Sequence, residues 1–184
     1  MKATDILKEE HQVILRVLNS LETATLKIAQ GKSTASFFIE AADFIKGFAD
    51  GCHHAKEEGV LFKYMEKHGI LVQGGPIGAM LADHEQGRVF TRQMRTAAEA
   101  WQAGDLSAAI AVEENARGYY TLLRNHIFKE DNILFPMADR VIPVGEHQEL
   151  DDKFEHIEHE ETGEGVHEKY LALAEKLERE MGLK

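Results

Sequence analysis

Two echoing stretches constrain this chain more than anything else in it: His53-His54-Ala55-Lys56-Glu57-Glu58 and His126-Ile127-Phe128-Lys129-Glu130-Asp131. Each sets a histidine four residues ahead of a glutamate, one turn along the same face of a helix. His11 and His84 stand alone, one ahead of each echo. Buried histidine and glutamate are costly unless paired or ligated. A fold that turns these six residues inward must therefore bring them to partners that compensate their charge.

The surrounding pattern is helical. The 184 residues include only three prolines, and good helix formers dominate, which predicts an all-α fold. Breaks at Gly31, His68-Gly69, Gly74-Gly75-Pro76 and Gly104-Asp105 leave four long helices, over about 4–29, 36–67, 76–103 and 106–138. Leu7, His11, Ile14, Leu18 and Leu21 form one stripe, and Tyr119, Leu122, His126, Glu130 and Ile133 another. Short turns predict an up-down antiparallel four-helix bundle over 1–142. The tail, 143–184, reads as a C-terminal helical extension of two shorter helices, broken near Thr162-Gly163 and packed on the same domain.

Counting from the turns tests whether the six residues share a level. His11 lies 20 residues before Gly31 and His53 lies 22 after it; His84 and His126 stand 20 before and 22 after Gly104. Each is roughly 30 Å from its turn. In antiparallel pairs equal distance from the turn means equal height, so the bundle brings His11, His53, Glu57, His84, His126 and Glu130 together. Neutral imidazole with carboxylate suits iron, manganese or zinc. Two glutamates, each with two oxygens, can bridge a pair of cations and leave positions open for a small ligand such as dioxygen or peroxide.

Other residues compete for roles. The apolar face favours His53 and Glu57 over the neighbouring pair His54 and Glu58 as the inward residues. His54, Glu58, Arg88, Tyr119 and Asp131 stand where they can brace a ligand or touch a bound molecule, with His54 a variant ligand in a second reading. Lys46, Lys56 and Lys63 read as exposed charge, and Cys52 as a small buried residue. His156 with Glu160, and His147 with Asp151, repeat the spacing in an acidic tail and read as solvated surface. The net charge of −11 excludes general binding to nucleic acid or an anionic membrane. One cysteine excludes an internal disulfide and suits a reducing compartment. With no signal-like or membrane-length apolar run, the expected location is cytoplasmic.

With these motifs spaced as they are, residues 6–140 resemble the hemerythrin-like family, the HHE cation-binding domains. The resemblance implies a four-helix bundle with a non-haem di-iron centre, ligated by His11, His53, Glu57, His84, His126 and Glu130 with both glutamates bridging. Oxygen-carrying hemerythrins have a fifth histidine four residues from the one on the third helix; Met80 and Arg88 occupy the candidate positions here. Those carriers also use an aspartate five residues after the last histidine, where this chain offers both Glu130 and Asp131. Reversible oxygen transport is therefore not expected. The leading reading is a di-iron protein that binds or senses dioxygen, iron or reactive oxygen and nitrogen species. A di-iron oxidase or peroxide-consuming enzyme is the alternative, and a metal-free structural bundle stands third. No protein partner is legible.

Overall fold

A computed structural model describes residues 2–163 and 165–183, the side chains of 160–162 aside. The His156–Glu160 spacing thus falls partly outside the described residues. Helix α1 runs Ala3–Ile28, α2 covers 35–67, α3 is Pro76–Gln102 and α4 covers 108–141; α5 covers 147–163 and α6 is Val166–Met181. Among the described residues there is no strand, and no helix is long and apolar enough to cross a membrane. The expectation of an all-helical chain holds.

Each break has a local cause. Gly31 (φ 66°) and Gly104 (φ 109°) take left-handed conformations that end α1 and α3. Thr34 caps α2 by accepting from the Phe37 N–H. Pro76 opens α3, where an N–H would lack a partner anyway.

Side-chain pairs fix the direction of each neighbour. Between α1 and α4, Thr4 meets Asp139, His11 meets Asp131 and Glu22 meets Arg124. Between α2 and α3, Glu58 meets His84, Asp50 meets Arg88 and Asp43 meets Arg95. Between α3 and α4, Asp83 meets Lys129, and Phe90 lies against Gly118, where a Cβ would come within 2.5 Å of the ring. Between α1 and α2, Glu10 meets Lys56, and Ser33 in the turn just ahead of α2 donates to the Ala24 carbonyl. In every pair one number rises as the other falls, so each neighbour runs antiparallel to the next.

Two hydrophobic clusters fill the interior above and below the histidine level. One joins Leu18, Phe38, Phe48, Met94, Val112 and Leu123 with Ala174, Leu177 and Met181 of α6. The other joins Leu7, Leu61, Met65 and Phe135 with Leu150, Phe154 and Ile157 of the α5 region. Arg16 of α1 donates to both carboxylate oxygens of Glu178 on α6 (3.0 and 2.5 Å).

Within α2 and α4, three stretches depart from the α-helical ladder. Ile45–His54 and Glu57–Leu61 in α2, and Glu130–Leu134 in α4, close their hydrogen bonds over five residues instead of four. Such wide turns are rare and concentrate at functional sites. Pro136 lacks the N–H that residue 132 would accept in a regular helix, and the wide turn of α4 comes directly before it.

Leu177 has no exposed surface. Leu177→Ala is expected to lower unfolding free energy by about 2–5 kcal/mol, read from urea denaturation; an unchanged midpoint means that α6 contributes nothing to the core.

Candidate metal centre

The wide turns decide which side chains face inward. A turn closed over five residues separates adjacent positions by a smaller angle, so consecutive histidines can face the same interior. His53 and His54 are both buried, as are His11, His84 and His126. Five imidazoles therefore meet at one level with Glu57 and Glu130, each of which has no exposed surface. His54 departs from the helical wheel, which put it at a boundary; the structure seats it beside His84, rings 3.8 Å apart.

The donors fall into two groups. His54, Glu57, His84 and His126 form one, and His11, His53, Glu57 and Glu130 the other; in each, one ligand atom per residue lies within 4.8 Å of the rest. Glu57 belongs to both. Its Oε1 is 3.5 Å from His53 Nε2, and its Oε2 is 3.4 Å from His84 Nε2. Glu130 also spans them: Oε2 lies 3.2 Å from His11 Nε2, and Oε1 lies 3.1 Å from His126 Nε2. His84 Nε2 and His126 Nε2 stand 3.0 Å apart.

All five imidazoles point the same nitrogen inward because the other is held from outside. His11 Nδ1 lies 2.8 Å from Asp131, His53 Nδ1 2.9 Å from Glu10, and His84 Nδ1 2.7 Å from Glu58. His126 Nδ1 lies 3.2 Å from Asp83, and His54 Nδ1 3.5 Å from Asp50. A carboxylate at Nδ1 keeps the proton there, fixes the tautomer and leaves the Nε2 lone pair free to ligate. Four of these bonds cross between helices, from α1 to α2, α2 to α3, α3 to α4 and α4 to α1.

Cations back most of the carboxylates. Arg88 donates to Asp50 (2.7 Å) and Glu58 (2.6 Å), so one guanidinium braces the partners of both His54 and His84. Lys129 donates to Asp83 at 2.5 Å. Lys56, with no exposed surface, donates to Glu10 (2.5 Å) and to Glu158 of α5 (2.8 Å). The sequence reading of Lys56 as exposed charge is corrected: α5 covers it. Glu10, Asp50, Asp83 and Glu158 were not singled out from the sequence.

A further group, Glu10, Cys52, Glu158 and His167, also has metal-ligating spacing, but the Lys56 ammonium bonds two of its carboxylates and supplies the positive charge there. Burial pushes the Cys52 thiol up to about 11, which leaves it un-ionised.

Electrostatics test whether a cation suits the main cluster. Burial and the adjacent Glu130 push Glu57 well above the carboxylate range, while His126 and His11 hold Glu130 well below it against burial. Against burial, Asp131 and Glu130 raise His11 to about 9, and Glu130 and Asp83 raise His126 to about 9. Burial takes His53 down to about 4 and His54 well below its ordinary value. Protons on two imidazoles here supply positive charge that a metal would supply otherwise. His11 Nε2, His53 Nε2 and both oxygens of Glu57 and Glu130 are buried without a hydrogen-bond partner. Such orphans are uncommon in native interiors. Donor separations of 3.0–3.5 Å match the edges of a coordination shell with bonds of roughly 2.1 Å. The residues fit a metal pair.

A scan of family models matches residues 2–138 to the hemerythrin HHE cation-binding domain. The chain belongs to the hemerythrin HHE family. As an HHE protein it is built to bind metal cations, and its paired His/Glu groups could hold them. Among curated proteins it is similar to uncharacterized proteins of Mycobacterium bovis (strain ATCC BAA-935 / AF2122/97) and Mycobacterium tuberculosis (strains CDC 1551 / Oshkosh and ATCC 25618 / H37Rv). Each is 26% identical over 182 residues, covering 98% of this chain and 71% of the relative. No solved structure matches.

Removing one member of a buried ion pair leaves an uncompensated charge. Lys56→Met is expected to destabilise the fold by about 3–5 kcal/mol, and Lys56→Met with Glu10→Gln to recover part of the loss; chemical denaturation of the single and double variants checks both.

Proposed function

We propose that this HHE protein holds two iron ions in a non-haem centre. His54, His84 and His126 would hold one ion and His11 and His53 the other, with Glu57 and Glu130 placed to bridge them. The observation that carries this reading is the placement of the two glutamates, each with one oxygen toward either histidine group. Imidazole and carboxylate donors in this mixture suit iron, with manganese or zinc as substitutes. When bound, such a pair supplies redox and Lewis-acid chemistry toward a small ligand. The protein's own part is to keep every imidazole in one tautomer, with Phe135 stacked over His11 and Phe62 over His84.

The function that follows is binding or sensing of dioxygen or a related reactive species. His54 bears on the sequence-based argument against oxygen carriage: α3 has no second histidine, but α2 offers the fifth imidazole. An oxidase or peroxide-consuming enzyme is the second reading. It is favoured by a cavity that reaches His54 and His84 and is larger than a diatomic ligand needs.

Protein purified without added metal is expected to contain about two irons per chain, measured by elemental analysis. Chelation should lower its melting temperature. Glu57→Ala and Glu130→Ala should each lose metal, and retention of both ions by either variant refutes bridging. After anaerobic reduction, a reversible spectral change on adding oxygen supports a binder, whereas sustained peroxide consumption supports an enzyme.

A further inference from the structure

The cavity of about 240 Å³ lies between α2, α3 and α4. One wall is formed by His54 and His84, so it opens directly onto the three-imidazole side of the centre. The remainder of its interior is largely apolar, with Ala42, Ile45 and Leu123 around the Tyr119 ring. Gly87 leaves room beside that ring: a Cβ there would rest 3.6 Å from Tyr119.

Size separates the candidate occupants. A diatomic ligand needs little more than the roughly 30 Å³ that a water molecule takes up, whereas a cavity of roughly 150 Å³ accommodates a benzene ring. This cavity is larger than either. Polarity narrows the choice further. Tyr119 is 1% exposed, and its hydroxyl is buried with no hydrogen-bond partner. A buried phenol normally finds one. Burial and the nearby Asp50 carboxylate hold the phenol well above its ordinary value, so it remains a neutral donor. Thr91 cannot serve it as a free donor, since its own hydroxyl donates to the Gly87 carbonyl at 2.9 Å. Arg88 is committed to Asp50 and Glu58. The interior therefore offers apolar walls and, in the Tyr119 hydroxyl, a buried donor without a partner, while Lys46, Arg92 and Arg95 also line the cavity.

We propose that this cavity binds a neutral organic molecule of about one ring in size, whose oxygen accepts from the Tyr119 hydroxyl and whose body lies against His54 and His84. As a substrate site this rests on the two-metal reading; as a binding site it stands on the cavity itself.

Zinc-loaded protein, which carries no redox turnover, is titrated with acetophenone and with ethylbenzene, a probe of similar size that lacks the acceptor. Binding is read by NMR of both ligand and protein. One acetophenone per chain is expected, shifting Tyr119 and Leu123 resonances, with affinity about tenfold above that of ethylbenzene. Tyr119→Phe should bring the two probes to equal affinity, and Leu123→Phe should weaken both with circular dichroism unchanged. Equal affinity of the two probes in the unaltered protein, a preference that survives Tyr119→Phe, or absence of binding each overturns the proposal. The same titration on metal-free protein separates the two ideas. A Tyr119-dependent preference in protein that takes up no metal upholds the cavity and refutes the metal pair, whereas two bound zinc ions without probe binding do the reverse.

Discussion

Four histidine–carboxylate bonds close a ring around the bundle, and the rest of the centre depends on it. Glu10 of α1 holds His53 of α2, Glu58 of α2 holds His84 of α3, Asp83 of α3 holds His126 of α4, and Asp131 of α4 holds His11 of α1. Each bond fixes a tautomer and at the same time ties two helices at one height. Three of the four carboxylates accept from a cation as well, so the polar layer is satisfied on its outer side and unsatisfied only toward its centre. That asymmetry sets this cluster apart from an ordinary buried network, which satisfies itself throughout.

Much of this was legible in the sequence. Turn-to-histidine counts placed His11, His53, His84 and His126 at one level, because helical rise is constant and the turns are short. The glutamates followed from the four-residue spacing. The braces were legible in principle as well. Glu10 and Asp83 stand one residue before a histidine on α1 and α3, while Glu58 and Asp131 stand one residue after a glutamate on α2 and α4. Antiparallel neighbours reverse the sense of rotation along the chain, so alternating −1 and +1 offsets turn every carboxylate the same way around the bundle.

His54 and Lys56 show where a helical wheel stops. A wheel assumes a uniform angle per residue, and the wide turns of α2 break that assumption at the positions where it was applied. Lys56 looked solvent-exposed because a wheel of one helix does not know what packs against its outer face. Glu158 comes from α5, 102 residues away, and nothing local to α2 announces it. Tertiary contacts from a late segment override a local reading.

The burial of Lys56 bears on where the working unit ends. Similarity to the HHE family stops at residue 138, yet the cation behind Glu10, and through Glu10 the orientation of His53, is completed by a carboxylate at position 158. The family segment is thus not portable as it stands in this chain. Grafted elsewhere without its tail, it would carry a half-caged ammonium behind the histidine cluster.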